Sequence, residues 1–189
     1  MTTSADTFAD AQRDMRLGYF GGAPGVLSSS IAWLTAALVA ILVSPASAVW
    51  ALLIGGMFIF PASVLLTKLL GRPGRHSRGN PLGALAMEGT LLLVLTLPLA
   101  LVVSLYRIEW FFPAMLLLIG GRYFTFATLY GTRMYWALGG ILAFAAFVLV
   151  ATRMPPAVGA LTGGLIEIVF SAALFAARGE SNSATLPTS

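Results

Sequence analysis

Apolar runs of 18 to 25 residues, separated by short polar breaks, set the pattern of this chain. A helix of about 20 apolar residues crosses the roughly 30 Å hydrocarbon core of a bilayer. The pattern predicts six membrane spans, at 26–43, 49–70, 82–106, 111–130, 134–151 and 157–177. The fold class is therefore an all-α, polytopic transmembrane bundle of six helices.

Three domains follow. Residues 1–24 form a polar lead with Asp6, Asp10, Arg13, Asp14 and Arg16, closed by Gly18, Gly21, Gly22 and Pro24. This tail is expected to be partly helical, to bury little surface and to end in a Gly/Pro hinge. An interfacial helix over 8–20 would have only a thin apolar face. Residues 25–178 carry the bundle, and 179–189 read as a polar, disordered tail. Ala46-Ser47-Ala48 has the look of a signal-peptidase site. The polar lead is long for a signal peptide and the apolar run exceeds the usual 7–15 residues, so 1–47 is expected to stay on the chain.

Ser28, Ala32, Ala36 and Ala40 recur every four residues in the first span, a stripe that lets a neighbouring helix approach closely. The same holds for Gly159, Gly163, Glu167 and Ser171 in the last. Residues 52–68 (LLIGGMFIFPASVLLTK) and 117–133 (LLIGGRYFTFATLYGTR) match at seven of 17 positions. The match aligns Gly55-Gly56 with Gly120-Gly121, and 161–174 echoes both, so that Ser63, Thr128 and Ser171 correspond. The repeat suggests three parallel helical hairpins.

Composition supports the membrane reading: 58% hydrophobic and 10% charged residues, against about 45–50% and 25% in soluble domains. The chain has no cysteine and one histidine, His76. Thiolate or multi-histidine metal sites are therefore excluded, and no cofactor is expected. Nucleophile-elbow, metalloprotease and phosphate-loop motifs are absent, so no enzyme is expected. The net charge is +4, but the basic residues gather at span ends and do not point to nucleic acid. Arg13, Arg16, Lys68, Arg72, Arg75, Arg78, Arg133 and Arg178 fall at one end, Arg107 and Arg153 at the other. The positive-inside rule then places both termini in the cytoplasm and the bundle in a bacterial inner membrane. The bilayer is the expected partner, with anionic head groups at the loop running from Lys68 to Arg78; a homo-oligomer stays open.

The remaining signals are ionisable residues inside spans, which are costly and by default functional. Arg122 and Glu167 lie at similar depth, and Arg122 leads a polar face with Gly121, Thr125, Thr128 and Thr132. An Arg122–Glu167 ion pair is the economical expectation, with Glu88 as a third candidate. The leading functional reading is binding or passage of a small solute or proton through a polar centre made by Arg122, Glu167, Glu88, Thr125 and Thr128. The alternative is a non-transporting subunit or scaffold in which the two charges are an interhelical clamp. Tyr123, Phe124, Phe126 and Tyr130 read as packing.

Asn80-Pro81-Leu82 after the basic loop, Pro113 followed by Gly120-Gly121, Tyr130 before Arg133, and Glu167-Ile168-Val169-Phe170 resemble an uncharacterised family of small bacterial multipass membrane proteins. The likeness covers about residues 60–175. It implies a six-span integral membrane fold and no assigned activity.

Overall fold

The computed structural model of the chain describes residues 4–183, with side chains over 7–177. The described residues form seven α-helices and no strand: α1 (Ser4–Gly18), α2 (Ala23–Leu42), α3 (Pro45–Leu69), α4 (Leu82–Tyr106), α5 (Phe111–Tyr130), α6 (Met134–Thr152) and α7 (Pro156–Ser183). Helices α2 to α7 correspond to the six expected spans, and each is long and apolar enough to cross a membrane. Helices α3 and α4 run unbroken through Pro61 and Pro98.

The helix boundaries have local causes. Gly22 adopts φ +84° and caps α2, with Pro24 pre-set in the first turn. The Ser44 hydroxyl accepts the Ser47 N–H at 3.0 Å, and Pro45 opens α3. The stretch resembling a cleavage site is thus a tight turn into a capped helix, with Ala48 fully buried. The Asn80 side chain accepts the Leu82 N–H at 3.0 Å at the start of α4. Gly131, at φ +59°, closes α5 in the left-handed conformation.

Around the bundle the helices run α3, α2, α7, α6, α5, α4, with α7 also touching α5. Helices α3 and α4 lie outermost, each packed mainly on one partner, α2 and α5 respectively. Their exposed leucines, methionines and phenylalanines are consistent with a surrounding lipid bilayer. The strongest packing includes α2 with α7 and α5 with α6, so the helices pair across the three expected hairpins as well as within them. The matched glycines behave alike: a Cβ on Gly55 would press on Ala32 at 3.1 Å and one on Gly120 on the Gly139 carbonyl at 2.9 Å, while Gly56 and Gly121 face open space. In α7 the four-residue ladder runs along the α2–α5 seam. Gly159 meets Phe112, Gly163 meets Trp33 and Leu116, and the Ser171 hydroxyl donates to the Ala23 carbonyl at 3.3 Å.

One expectation is corrected. The N-terminal segment is not a tail that buries little: α1 buries Ala11 and Met15 and lies across the basic end of the bundle. Gln12 Nε2 donates to the Thr128 carbonyl at 2.7 Å and Arg16 Nη1 to the Tyr130 carbonyl at 2.8 Å. Asp14 accepts the Ser77 N–H at 2.9 Å, the Ser77 hydroxyl at 2.8 Å and the Asn80 amide at 2.7 Å. Its carboxyl is held below the usual carboxylate range chiefly by the Asn80 hydrogen bond, with Ser77 adding to it and partial burial opposing. The Tyr19 hydroxyl and His76 Nδ1 are hydrogen-bonded at 3.0 Å, and burial pushes the Tyr19 phenol up. At the other end of the chain α7 runs as far as Ser183; the rest of the expected tail, 184–189, lies outside the described residues.

Candidate functional site

Arg122 stands eleven residues after Phe111 on α5 (122 − 111) and eight before Tyr130 (130 − 122), about 12 Å from the basic end at 1.5 Å per residue. Thr90 lies eight residues into α4 from Leu82 (90 − 82), also about 12 Å from that end. The antiparallel pairing of α4 with α5 brings them together, and Arg122 Nη2 donates to Thr90 Oγ1 at 3.0 Å. A close approach allows this: a Cβ on Gly89 would come within 3.3 Å of Thr125 Oγ1. The Arg122 guanidinium lies over the Phe126 ring, 5.4 Å from its centroid. Nε is sealed and unpaired. Nη1 makes no hydrogen bond among the described residues and is not sealed.

The expected Arg122–Glu167 ion pair is not formed. Among the described residues the salt bridge is Arg107–Glu109, at 3.2 Å. Glu167 is instead wholly buried, at 0% exposure, and accepts the Tyr123 hydroxyl at 2.9 Å through Oε1. Its Oε2 is sealed and unpaired, and buried Ser29 of α2 lies beside the same carboxyl. The reason is angular. Adjacent helical residues point about 100° apart, so Tyr123 turns into the α2–α7 core while Arg122 turns to α4. Depth was matched and azimuth was not.

Of the other candidates, Thr125 joins the Arg122 face and satisfies itself by donating to the Arg122 carbonyl at 2.7 Å. Thr128 is exposed, and its carbonyl belongs to the α1 contact. Glu88 is exposed; two residues from Thr90, it points about 200° away from Arg122's side of α4. Tyr123, Phe126, Tyr130 and Tyr135 form a ring cluster with centroids 5.5 to 5.9 Å apart. Tyr135 donates to the Gly21 carbonyl at 2.7 Å. These rings pack on one another, and Phe126 also lies under the Arg122 guanidinium. The described residues hold no cluster suited to a metal ion. A groove of about 280 Å³ between α6 and α7 is lined only by Ile141, Leu165, Ile166, Val169 and Phe170 and offers no polar recognition.

Reading the sequence missed Thr90 and Ser29. Thr90 is one of three hydroxyls in α4, with Thr96 and Ser104, and Ser29 one of three consecutive serines; neither position carries a signal of its partner.

The sequence profile of a family of unknown function (DUF7010) matches residues 8–177. The chain belongs to this family. The match begins inside α1 and ends in α7, so the family pattern includes the strap across the basic end as well as all six apolar helices. No curated protein and no solved structure matches the chain.

Proposed function

We propose that this family member binds a small molecule within the membrane at the α4–α5 face centred on Arg122. The carrying observation is that Arg122 and Glu167 do not meet. A clamp made of those two charges was the structural alternative, and it would need them within about 4 Å. Arg122 is instead a cation in a membrane-spanning helix with a neutral hydroxyl and a ring face as its neighbours. A guanidinium in that setting is expensive to retain without a role. Glu167, enclosed between α2, α5 and α7, takes the scaffold role. The enclosure of Glu167 and the turning away of Glu88 favour binding over passage, because neither extends a polar path from Arg122.

We place the protein in a bacterial inner membrane with both termini cytoplasmic, on the asymmetry of its basic residues. The binding reading is tested by thermal-shift screening of purified protein in non-ionic detergent, against soluble and amphiphilic compounds of either charge and none. At least one compound should stabilise the wild type and leave Arg122→Gln unmoved. A folded wild type that responds to nothing, or a variant that responds equally, refutes it.

A further inference from the structure

The basic end and the lipid side of the Arg122 site differ in access. At the basic end, α1 spans the gap between the start of α4 and the end of α5. Asp14 and the Ala11 carbonyl hold Asn80, at 2.7 and 3.0 Å, immediately before α4. Gln12 and Arg16 hold the last carbonyls of α5. The strap covers the route by which a water-soluble solute would descend between the two helices. Among the described residues nothing comparable covers the lipid side. Thr90, the hydrogen-bond partner of Arg122, is itself exposed, and Gly121 opens onto free space. The flanking Met87, Leu91 and Val94 of α4 are all exposed.

The guanidinium also specifies a charge. One positive group at this depth is neutralised by one negative group; a dianion would leave an uncompensated charge in the hydrocarbon region. The free Nη1, with the second proton of Nη2, forms a planar fork of the kind that receives two oxygens of a carboxylate. We infer that the site takes a long-chain carboxylate, entering sideways from the bilayer, with its head group on the Arg122 fork and its chain along the apolar flank of α4. The inference rests on the binding reading above and adds the class of ligand and its route.

The test titrates oleate, oleyl alcohol and butyrate into the protein in non-ionic micelles, following heat of binding. Oleate should bind, and oleyl alcohol, which has the chain without the charge, should bind at least about tenfold more weakly, as expected for loss of a charge-assisted contact. Butyrate, which has the charge without the chain, should also be much weaker. Arg122→Gln should weaken oleate binding by about tenfold or more, whereas Glu88→Gln, turned to the other side of α4, should leave it unchanged. If Arg122→Gln does not fold, Thr90→Val removes the anchor of Nη2 and should weaken oleate binding; the three ligands on the wild type decide independently. Equal binding of oleate and oleyl alcohol overturns the inference, as does oleate binding that survives in Arg122→Gln. Binding of butyrate but not oleate overturns the lipid route and leaves the binding reading standing. No binding by any compound, here and in the wider screen, removes both.

Discussion

The Tyr123–Glu167 contact is the place to perturb the bundle core. Both side chains are enclosed, at 4% and 0% exposure, and they share a single hydrogen bond of 2.9 Å. Tyr123→Phe removes the hydroxyl and little volume. It leaves Oε1 without its donor, beside an Oε2 already unpaired. A buried polar group stripped of its partner costs about 1–3 kcal/mol, so Tyr123→Phe should destabilise by about that amount. Glu167→Gln keeps an acceptor oxygen of the same reach and should cost less than Tyr123→Phe. The coupling energy, read from Tyr123→Phe, Glu167→Met (which removes the acceptor) and the double, should fall between the ~0.6 kcal/mol average and the ~1.7 kcal/mol maximum for hydrogen bonds between membrane helices. The companion cycle, Arg122→Met with Glu167→Gln, should be additive within about 0.5 kcal/mol because the two side chains face different helices. Reversible unfolding in mixed micelles gives all these values. A coupling above about 1 kcal/mol between Arg122 and Glu167, with none between Tyr123 and Glu167, would refute the assignment of partners.

Gly22→Ala should destabilise by about 2 kcal/mol or more. A side chain at φ +84° is strained, and its Cβ would run into the Tyr135 hydroxyl and the Tyr130 ring; a variant as stable as wild type by thermal melt would show that this corner is not packed as described. The α1 strap should loosen in acid. The depressed Asp14 carboxyl contributes stability that is present above its unfolded value and is lost as pH falls through the folded one. Amide exchange in α1 should therefore quicken from about pH 4 downward, and Asp14→Asn should exchange quickly at neutral pH and lose the acid transition; a wild-type rise centred near pH 6 would implicate another group. For topology, reporter fusions after Arg78 and at Ser189 should read cytoplasmic and one at Glu109 external; a fusion at Glu109 that reads cytoplasmic would sink the assigned orientation.

The spans were legible because insertion sums over some 20 residues, and the sum survives local exceptions such as Pro61, Pro98, Gly55 and Gly56. The small-residue ladders were legible for the same reason, since four-residue periodicity marks a face whatever lies against it. Which face meets which helix was not. Arg122 and Tyr123 are adjacent in sequence, and a single step of helical register decides that the arginine meets Thr90 and the tyrosine meets Glu167. Depth can be counted from a span's end, but azimuth depends on the packing of all the helices together. Helix α1 was legible only in outline. Its buried pair, Ala11 and Met15, follows the i, i+4 spacing of an amphipathic face, but two residues give a faint signal beside Asp10, Arg13, Asp14 and Arg16. Its partners, Asn80 and the end of α5, are 66 and 116 residues away along the chain.

The charges of α1 make sense once the ends of α4 and α5 are placed beside it. Because α4 and α5 are antiparallel neighbours, the start of one and the end of the other lie side by side at the basic end. A helix start carries partial positive charge and a helix end partial negative. Asp14 sits at the start of α4, through Asn80 and Ser77, and Arg16 sits on the last carbonyl of α5. Two residues apart in sequence, the acid and the base each match the end they touch. Reversing either would place like against like, so the order Asp14 then Arg16 also fixes which way α1 lies across the bundle. The strap that covers the basic end of the Arg122 site is thus oriented by the same antiparallel pair that builds the site. A loss of α4–α5 pairing would release both together.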